Sequence, residues 1–405
     1  DAGPYSNASH EVLNKCGEFI GGPYKIENLE VEKIGVRTNN PISGAFRGFG
    51  APQAAFAYES QMDDLARKLG MDPLEIRLLN GVETGTKMYT GVVIREGTAM
   101  KASLKKAAEM IEWEKRDNCE RSPAPHIRRG FGMATILKGS GLGRGLLDHA
   151  GVELEMHRDG SVVLHSGAAD MGQGIITVMA QLAAERLGVD LSSVRVVRAD
   201  TAKSPDAGAS CASRQAMVSG NAVLKAADEI RDTLLTLAAR KTKVNKDRMD
   251  LKAGRLYVDG ERHELSVKDL AHRAGNWGYP LHAESLVHFE YPQDVPGVTY
   301  KYSQEVFQFC TQIAQVLVDC ETGQVTVERL IAVHDAGKMI NPGGVYGQIE
   351  GGVAQGIGYA LTEELIVTEG HTQNPSLENY VIPMACDIPE LEMAVQEIPE
   401  PIGAP

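Results

Sequence analysis

Two stretches of the chain alternate apolar and polar residues about a tight turn, and each runs into a helical pattern through a glycine-rich, polar junction. This pairing restricts the fold more than any other feature. The first, GVELEMHRDGSVVLHSG (151–167), turns at Arg158-Asp159-Gly160 and leads through AADMGQG into IITVMAQLAAERLGV. The second, AQVLVDCETGQVTVERLIAVHDAG (314–337), turns at Glu321-Thr322-Gly323 and passes Asn341-Pro342 into VYGQIEGGVAQGIGYALTEEL. Between them SSVRVVRAD reads as a strand, TAKSPDAGASCASR as a long polar loop, and QAMVSGNAVLKAADEIRDTLLTLAARKTK as a long helix. Hairpins interleaved with helices, without strict βαβ repetition, predict an α+β chain with mixed sheets. No period of about 20–50 residues recurs, which argues against a solenoid.

The opening part reads as helical. Residues 53–80 predict a helix, a Gly-Met-Asp-Pro break and a short second helix, with Asp72 as cap and Pro73 in its first position. TAMKASLKKAAEMIEWEKRDN predicts one further amphipathic helix. The proline-containing, charged CERSPAPHIRRG then marks the expected boundary, dividing the chain into 1–122 and 123–405.

Several function classes are excluded by spelling. A net charge of −13 argues against a nucleic-acid surface, and no apolar run approaches the ~18 residues of a membrane span. The six cysteines form no C-x-x-C pair, so neither a zinc knuckle nor a protein-ligated iron–sulfur cluster is encoded, and they are expected to be mostly buried thiols in a reducing, cytoplasmic setting. GSGLGRG (139–145) fails the dinucleotide fingerprint at its last position and precedes a strand, and no Walker-type phosphate loop is present. GASCA (208–212) ends in Ala212 and misses the nucleophile elbow. His149, His157 and His165 lie on hairpin strands outside any H-x-x-x-H pattern, and are expected to be structural or exposed. The first residue is Asp, and DAGPYSNASHEVL reads as an interior segment, so a fragment or processed chain is expected.

Four junctions remain: AFRGFG (45–50), DMGQG (170–174), SCASRQ (210–215) and YGQIEGG (346–352), all expected at loop-to-helix boundaries. Helix starts offer unpaired N–H groups, glycines admit a close ligand, and Arg47, Gln173, Arg214 and Gln348 add side-chain donors for an anionic, oxygen-rich group. Glycine-rich helix starts also arise from close helix packing, and the residues alone leave both readings open.

FRGFGAPQ, DMGQG, the Ala-Ser segment after RADT, and INP followed by GQIEGG and GYAL together resemble the molybdenum-cofactor-binding subunit or domain of the xanthine dehydrogenase and aldehyde oxidase family, along the whole chain. The resemblance implies a large α+β molybdopterin-binding domain, with 1–122 as the end of a first subdomain plus a linker helix and 123–405 as most of a second. It places Arg47 and Ala212 beside the molybdenum, with no direct protein thiolate. Phe46, Gly48, Gly172, Gln173, Gly174, Cys211, Ala212, Ser213 and Gln348 would line the cofactor, and Phe49 and Leu142 would face the substrate. Arg214 resembles the arginine of members that carry the cytosine dinucleotide form, where it would pair with the added pyrophosphate.

The implied activity is hydroxylation of an N-heteroaromatic ring (purine, nicotinate-like) or oxidation of an aldehyde, with water as oxygen source. Electrons would pass to 2Fe-2S and FAD centres on partner chains or missing segments of a hetero-oligomer. The family's catalytic glutamate follows a segment like EIPEPIGAP, where this sequence stops at Pro405. The family's first half, with its substrate-reading residues, would precede Asp1. Two alternatives share the motifs: a non-catalytic cofactor-binding scaffold, and an aromatic acyl thioester reductase of the same family.

Overall fold

The structure, a computed structural model, describes residues 1–5, 7–95, 98–118, 124–198, 200–291 and 304–399. In chain order the strands are β1 (Ile127–Ser140), β2 (Asp148–Met156), β3 (Val162–Ser166), β4 (Val194–Arg198), β5 (Met249–Lys252), β6 (Arg255–Val258), β7 (Glu261–Ser266), β8 (His282–Phe289), β9 (Val306–Asp319), β10 (Val325–Asp335), β11 (Val367–Thr368), β12 (His371–Thr372) and β13 (Glu390–Gln396). The α-helices are α1 (Ser9–Phe19), α2 (Ala51–Leu69), α3 (Pro73–Asn80), α4 (Met100–Met110), α5 (Ile175–Leu187), α6 (Gln215–Thr242), α7 (Val267–Trp277) and α8 (Pro342–Leu361). The chain divides into two compact units.

The first unit comprises Asp1–Gly139, Asp294–Gly337 and Val345–Pro401. Its sheet has the order β1-β9-β10-β13, antiparallel between β9 and β10 and parallel between β10 and β13. Strand alternation gives each face its own partner. Ile331 and Val333 join Leu104, Ala107 and the α2 residues Ala54 and Met62 in one core, while Leu330 and Ala332 meet Ile349, Val353 and Ile357 of α8 in another. Asp72 accepts from the Leu74 N–H at 2.7 Å ahead of Pro73, as the sequence predicts. The helix expected over 98–118 instead divides: α4 ends at Met110, Glu112 takes a left-handed φ of 55°, and a 3₁₀ stretch follows over Trp113–Asn118.

A buried ion pair locks α2, α3 and β1. The Arg77 side chain is fully buried, donating from Nε to Glu59 Oε2 (2.8 Å) and from Nη2 to Met133 O (3.0 Å), while Thr135 N–H and Tyr24 O–H donate to the same carboxylate. Burial pushes the Glu59 carboxyl up, and the Arg77 charge opposes that shift.

The second unit comprises Ser140–Gln293, Lys338–Gly344 and Ile402–Pro405. Its main sheet has the order β4-β3-β2-β8. The β2–β3 hairpin forms as predicted, with Asp159 and Gly160 at φ 52° and 85°, and the α5 crossover returns β4 parallel to β3. Val152, Leu154, Val162 and Leu164 point into the core on the side of α5 and α6, where Ala183, Ala184, Ala226 and Ala227 are also buried. Residues 249–289, which carry no assignment from the sequence, hold a three-stranded sheet β5-β6-β7, the capped helix α7 with its Ser266–Asp269 box, and the edge strand β8.

Two expectations are corrected. YGQIEGG does not open a helix: α8 starts at Pro342, because proline is preorganised for a first helical position and Asn341 Oδ1 accepts from the Gly344 N–H at 3.1 Å, so the motif lies inside the helix. The thiols are not mostly buried. Cys310 is buried and Cys16 partly so, whereas Cys211, Cys320 and Cys386 are exposed on a loop, a hairpin turn and a 3₁₀ turn; Cys119 falls outside the described residues.

Arg77→Ala leaves Glu59 buried without its countercharge. Denaturant titration is expected to show a loss of about 3–5 kcal/mol, whereas a surface-type loss under about 1 kcal/mol would contradict the role given to the pair.

Candidate functional site

In the first unit, the junction before α2 is wound through left-handed backbone: Gly48, Phe49 and Gly50 have φ of 96°, 52° and 94°. A phenylalanine at positive φ is costly and persists only where its surroundings impose it. The turn presents Arg47, whose Nη2 donates to Gln348 O at 2.9 Å and Gln348 Oε1 at 3.0 Å. A Cβ at Gly351 or Gly352 would lie 3.7 Å from the same guanidinium, an ordinary van der Waals distance, so Arg47 lies along this face of α8. Phe46 stacks on Tyr359 with ring centroids 5.4 Å apart at 26°. Two motifs far apart in sequence, FRGFG and GQIEGG, therefore meet within this unit, and Arg47 joins them.

Behind Arg47 the end of β10 carries residues that the sequence reading missed. His334 Nε2 lies 3.1 Å from Cys310 Sγ. Burial, with the Arg47 charge adding to it, holds the imidazole down to about 4, so it is neutral at pH 7, and burial pushes the neighbouring Asp335 carboxyl up to about 6. The one available signal was a His-Asp-Ala-Gly run at a strand end.

In the second unit, three loops share hydrogen bonds. Ala169 N–H donates to Ser210 Oγ at 3.0 Å, joining DMGQG to SCASRQ, and Gly141 N–H donates to Ala212 O at 2.9 Å, joining the 141–148 loop to the same segment. Ala212 and Ser213 are both left-handed, with φ of 52° and 53°, directly before α6. Gly172 and Gly174 have φ of 108° and 82°, and a Cβ built on either meets nothing within 4 Å. Their glycines are required by backbone conformation, and the space beside them is open. Leu142 is half-buried and Cys211 exposed at this cluster.

Two of the expected donors already have partners within the protein. Gln173 closes its own loop, accepting from Met171 N–H at 2.6 Å and donating to Ala169 O at 2.9 Å. Asp170 takes the start of α5, accepting from the N–H groups of Gly172 (2.9 Å), Gly174 (3.3 Å) and Ile176 (3.3 Å). Against a desolvation cost, these bonds hold its carboxyl below the usual range, so that helix end already has its negative charge. Arg214 is turned inward and only 1% exposed. Nε is paired with Asp148, Nη1 donates to Ala207 O (2.7 Å) and Ala209 O (2.9 Å), and Nη2 donates to His149 O. This corrects the expectation that its guanidinium is free to pair with a pyrophosphate.

Family profiles described as "Molybdopterin cofactor-binding domain" match residues 106–389 and 1–81. The chain belongs to the molybdopterin cofactor-binding domain family of the xanthine dehydrogenases and aldehyde oxidoreductases. It is 34% identical, over all of its length and 53% of the relative, to the putative xanthine dehydrogenase molybdenum-binding subunit of Escherichia coli K12. It is 32% identical, over all of its length and 41% of the relative, to the aldehyde oxidoreductase of Megalodesulfovibrio gigas. Its fold superposes on the quinoline 2-oxidoreductase of Pseudomonas putida 86 with a TM-score of 0.85, covering all of this chain and 53% of that one at 27% identity. The chain thus spans about half the length of these relatives, or somewhat less. Among the described residues no helix is long and apolar enough to cross a membrane.

For a molybdopterin cofactor-binding domain, the neutral His334 gives a pH test. Its folded pKa of about 4 lies below the ordinary 6.5, so between those values the unfolded chain binds a proton that the folded chain refuses, and stability falls as pH drops through the window. Asp335, raised from 3.8 to about 6, acts oppositely and destabilises the fold as pH rises through its own window. His334→Gln is expected to flatten the acid loss measured by denaturant melts across pH 6.5 to about 4; an unchanged slope would remove His334 as its source.

Proposed function

We propose that this chain is the cofactor-holding part of a molybdenum hydroxylase that oxidises an N-heteroaromatic ring or an aldehyde, taking oxygen from water. The observation that carries the reading is the second unit's loop cluster. Left-handed Ala212 and Ser213 lie beside a glycine loop whose flanks are open, which suits a large group approaching the backbone itself. The family match along the chain supports the same reading. Relatives named for xanthine and quinoline favour an N-heteroaromatic substrate first, and one named for aldehyde supports the second class.

In this reading Phe46, Arg47, Gly48, Gly172, Gln173, Gly174, Cys211, Ala212, Ser213 and Gln348 are the residues assigned to the molybdopterin, and Phe49 and Leu142 those assigned to the substrate. Residues 1–122 and 123–405 fall in two successive cofactor-binding subdomains. The bound cofactor supplies a two-electron redox centre, and the protein supplies position and electrostatics. Gln348 fixes the Arg47 guanidinium at two points, so its positive charge is placed in advance for an anionic ligand or developing negative charge. His334, neutral beneath it, adds no competing positive charge at pH 7. The cytosine dinucleotide form is proposed on the resemblance of the Ser213-Arg214-Gln215 run to members that carry it; the buried Arg214 guanidinium itself is spent on Ala207 O and Ala209 O. Iron–sulfur and flavin centres belong on partner chains or other segments.

Metal analysis and acid release of nucleotide from the purified complex test the assignment. Molybdenum accompanied by CMP is expected, with turnover on purines, nicotinate or aldehydes; a complex with neither metal nor nucleotide would overturn it.

A further inference from the structure

We infer that the buried Asp148–Arg214 pair is a positioning device that holds the Leu142 loop and the Ala207–Ser213 loop in one fixed relation, so that substrate reach and cofactor grip are set together. The link to substrate and cofactor rests on the function proposed above; the link between the loops rests on geometry alone.

Both side chains are fully buried, which would be costly for either charge alone. Each is satisfied by backbone from a different loop. Asp148 Oδ1 takes Arg214 Nε, and its Oδ2 accepts the Leu142 N–H at 2.8 Å and the Tyr291 hydroxyl at 2.9 Å. Arg214 reaches the other way, gathering the carbonyls of Ala207 and Ala209 just ahead of left-handed Ala212 and Ser213. Gln215 reinforces the same loop, its Nε2 lying 3.3 Å from both Ala207 O and Ala209 O.

The space around the pair is already full. A Cβ on Gly141 would lie 1.8 Å from the Tyr291 hydroxyl and 3.0 Å from Asp148 Oδ2, and one on Gly208 would lie 3.0 Å from Arg214 Nη1. The chain can pass these points only as glycine, with φ of 84° and 64°. The two loops then touch directly, through the Gly141 N–H donated to Ala212 O. A displacement of the Arg214 loop must therefore move Gly141 and Leu142, although Arg214 donates no hydrogen bond to either.

That last point separates a positioning role from a purely local one. Hydrogen exchange of the Gly141 and Leu142 amides is read in the full complex of wild type, Arg214→Lys and Tyr291→Phe, the last being a mild variant that keeps both charges. Arg214→Lys is expected to speed exchange at Gly141 and Leu142 by ~10-fold or more, and Tyr291→Phe at the same two amides by a smaller factor. With substrate, both are expected to raise KM more than they lower kcat. Exchange at Gly141 and Leu142 that stays at the wild-type rate in both variants would overturn the inference, whatever the metal content. Absence of molybdenum and nucleotide in the wild type would instead overturn the assigned function, leaving the exchange result to decide the coupling of the loops.

Discussion

The second unit depends on the satisfaction of one guanidinium. Arg214 has no solvent to turn to, so its fork must find acceptors in the protein, and it finds a carboxylate at the start of β2 and carbonyls of the preceding loop. Once those bonds are made, the long polar segment between β4 and α6 is no longer free to wander. It is further tied to the strands, where Gly151 N–H donates to Asp206 O at 2.7 Å and Gly167 N–H to Pro205 O at 3.1 Å. The first unit uses the same physics for a different end. Arg77 and Glu59 are also buried together, but their partners belong to the helices and β1, and they brace the core rather than a loop.

Backbone in an unfavourable conformation lies beside the Arg214 anchor and again in the FRGFG turn. Phe49, Ala212 and Ser213 all have positive φ without being glycine, and all three fall in motifs singled out from the sequence. Strain of this kind, about 1–3 kcal/mol per residue, needs surroundings that over-determine it. Such backbone aims N–H groups and small side chains in directions that an ordinary loop does not offer, consistent with a protein whose part is to receive a cofactor.

Much of this was legible in the sequence where local chemistry decides the structure. Asp72-Pro73 fixed the α3 start, and the Asp159-Gly160 turn fixed the β2–β3 hairpin, because both signals act within a few residues. Three of the four polar, glycine-rich junctions were legible as helix starts as well, whereas YGQIEGG lies inside α8. What they do was less so, because a side chain's partner is decided by tertiary contacts: Arg214 reads as a surface donor until Asp148, 66 residues earlier, claims it. Asp170 likewise hides the α5 N-terminus that the glycine pattern advertises. Residues 249–289 carry no assignment because β5 and β6 are only four residues each, although the Ser266-x-x-Asp269 box that opens α7 was a readable start signal. The thiols were misjudged because three cysteines occupy exposed loop and turn positions, which composition does not reveal.

The measurement that bears most directly on this account is a crystal structure of the cofactor-free complex at a resolution that fixes peptide orientation. A site prepared in advance predicts Ala212 and Ser213 at φ near 52° and 53°, with the Gly141 N–H on Ala212 O, before any cofactor is bound. A segment that is extended or irregular there, and takes the left-handed form only when cofactor is added, would contradict it.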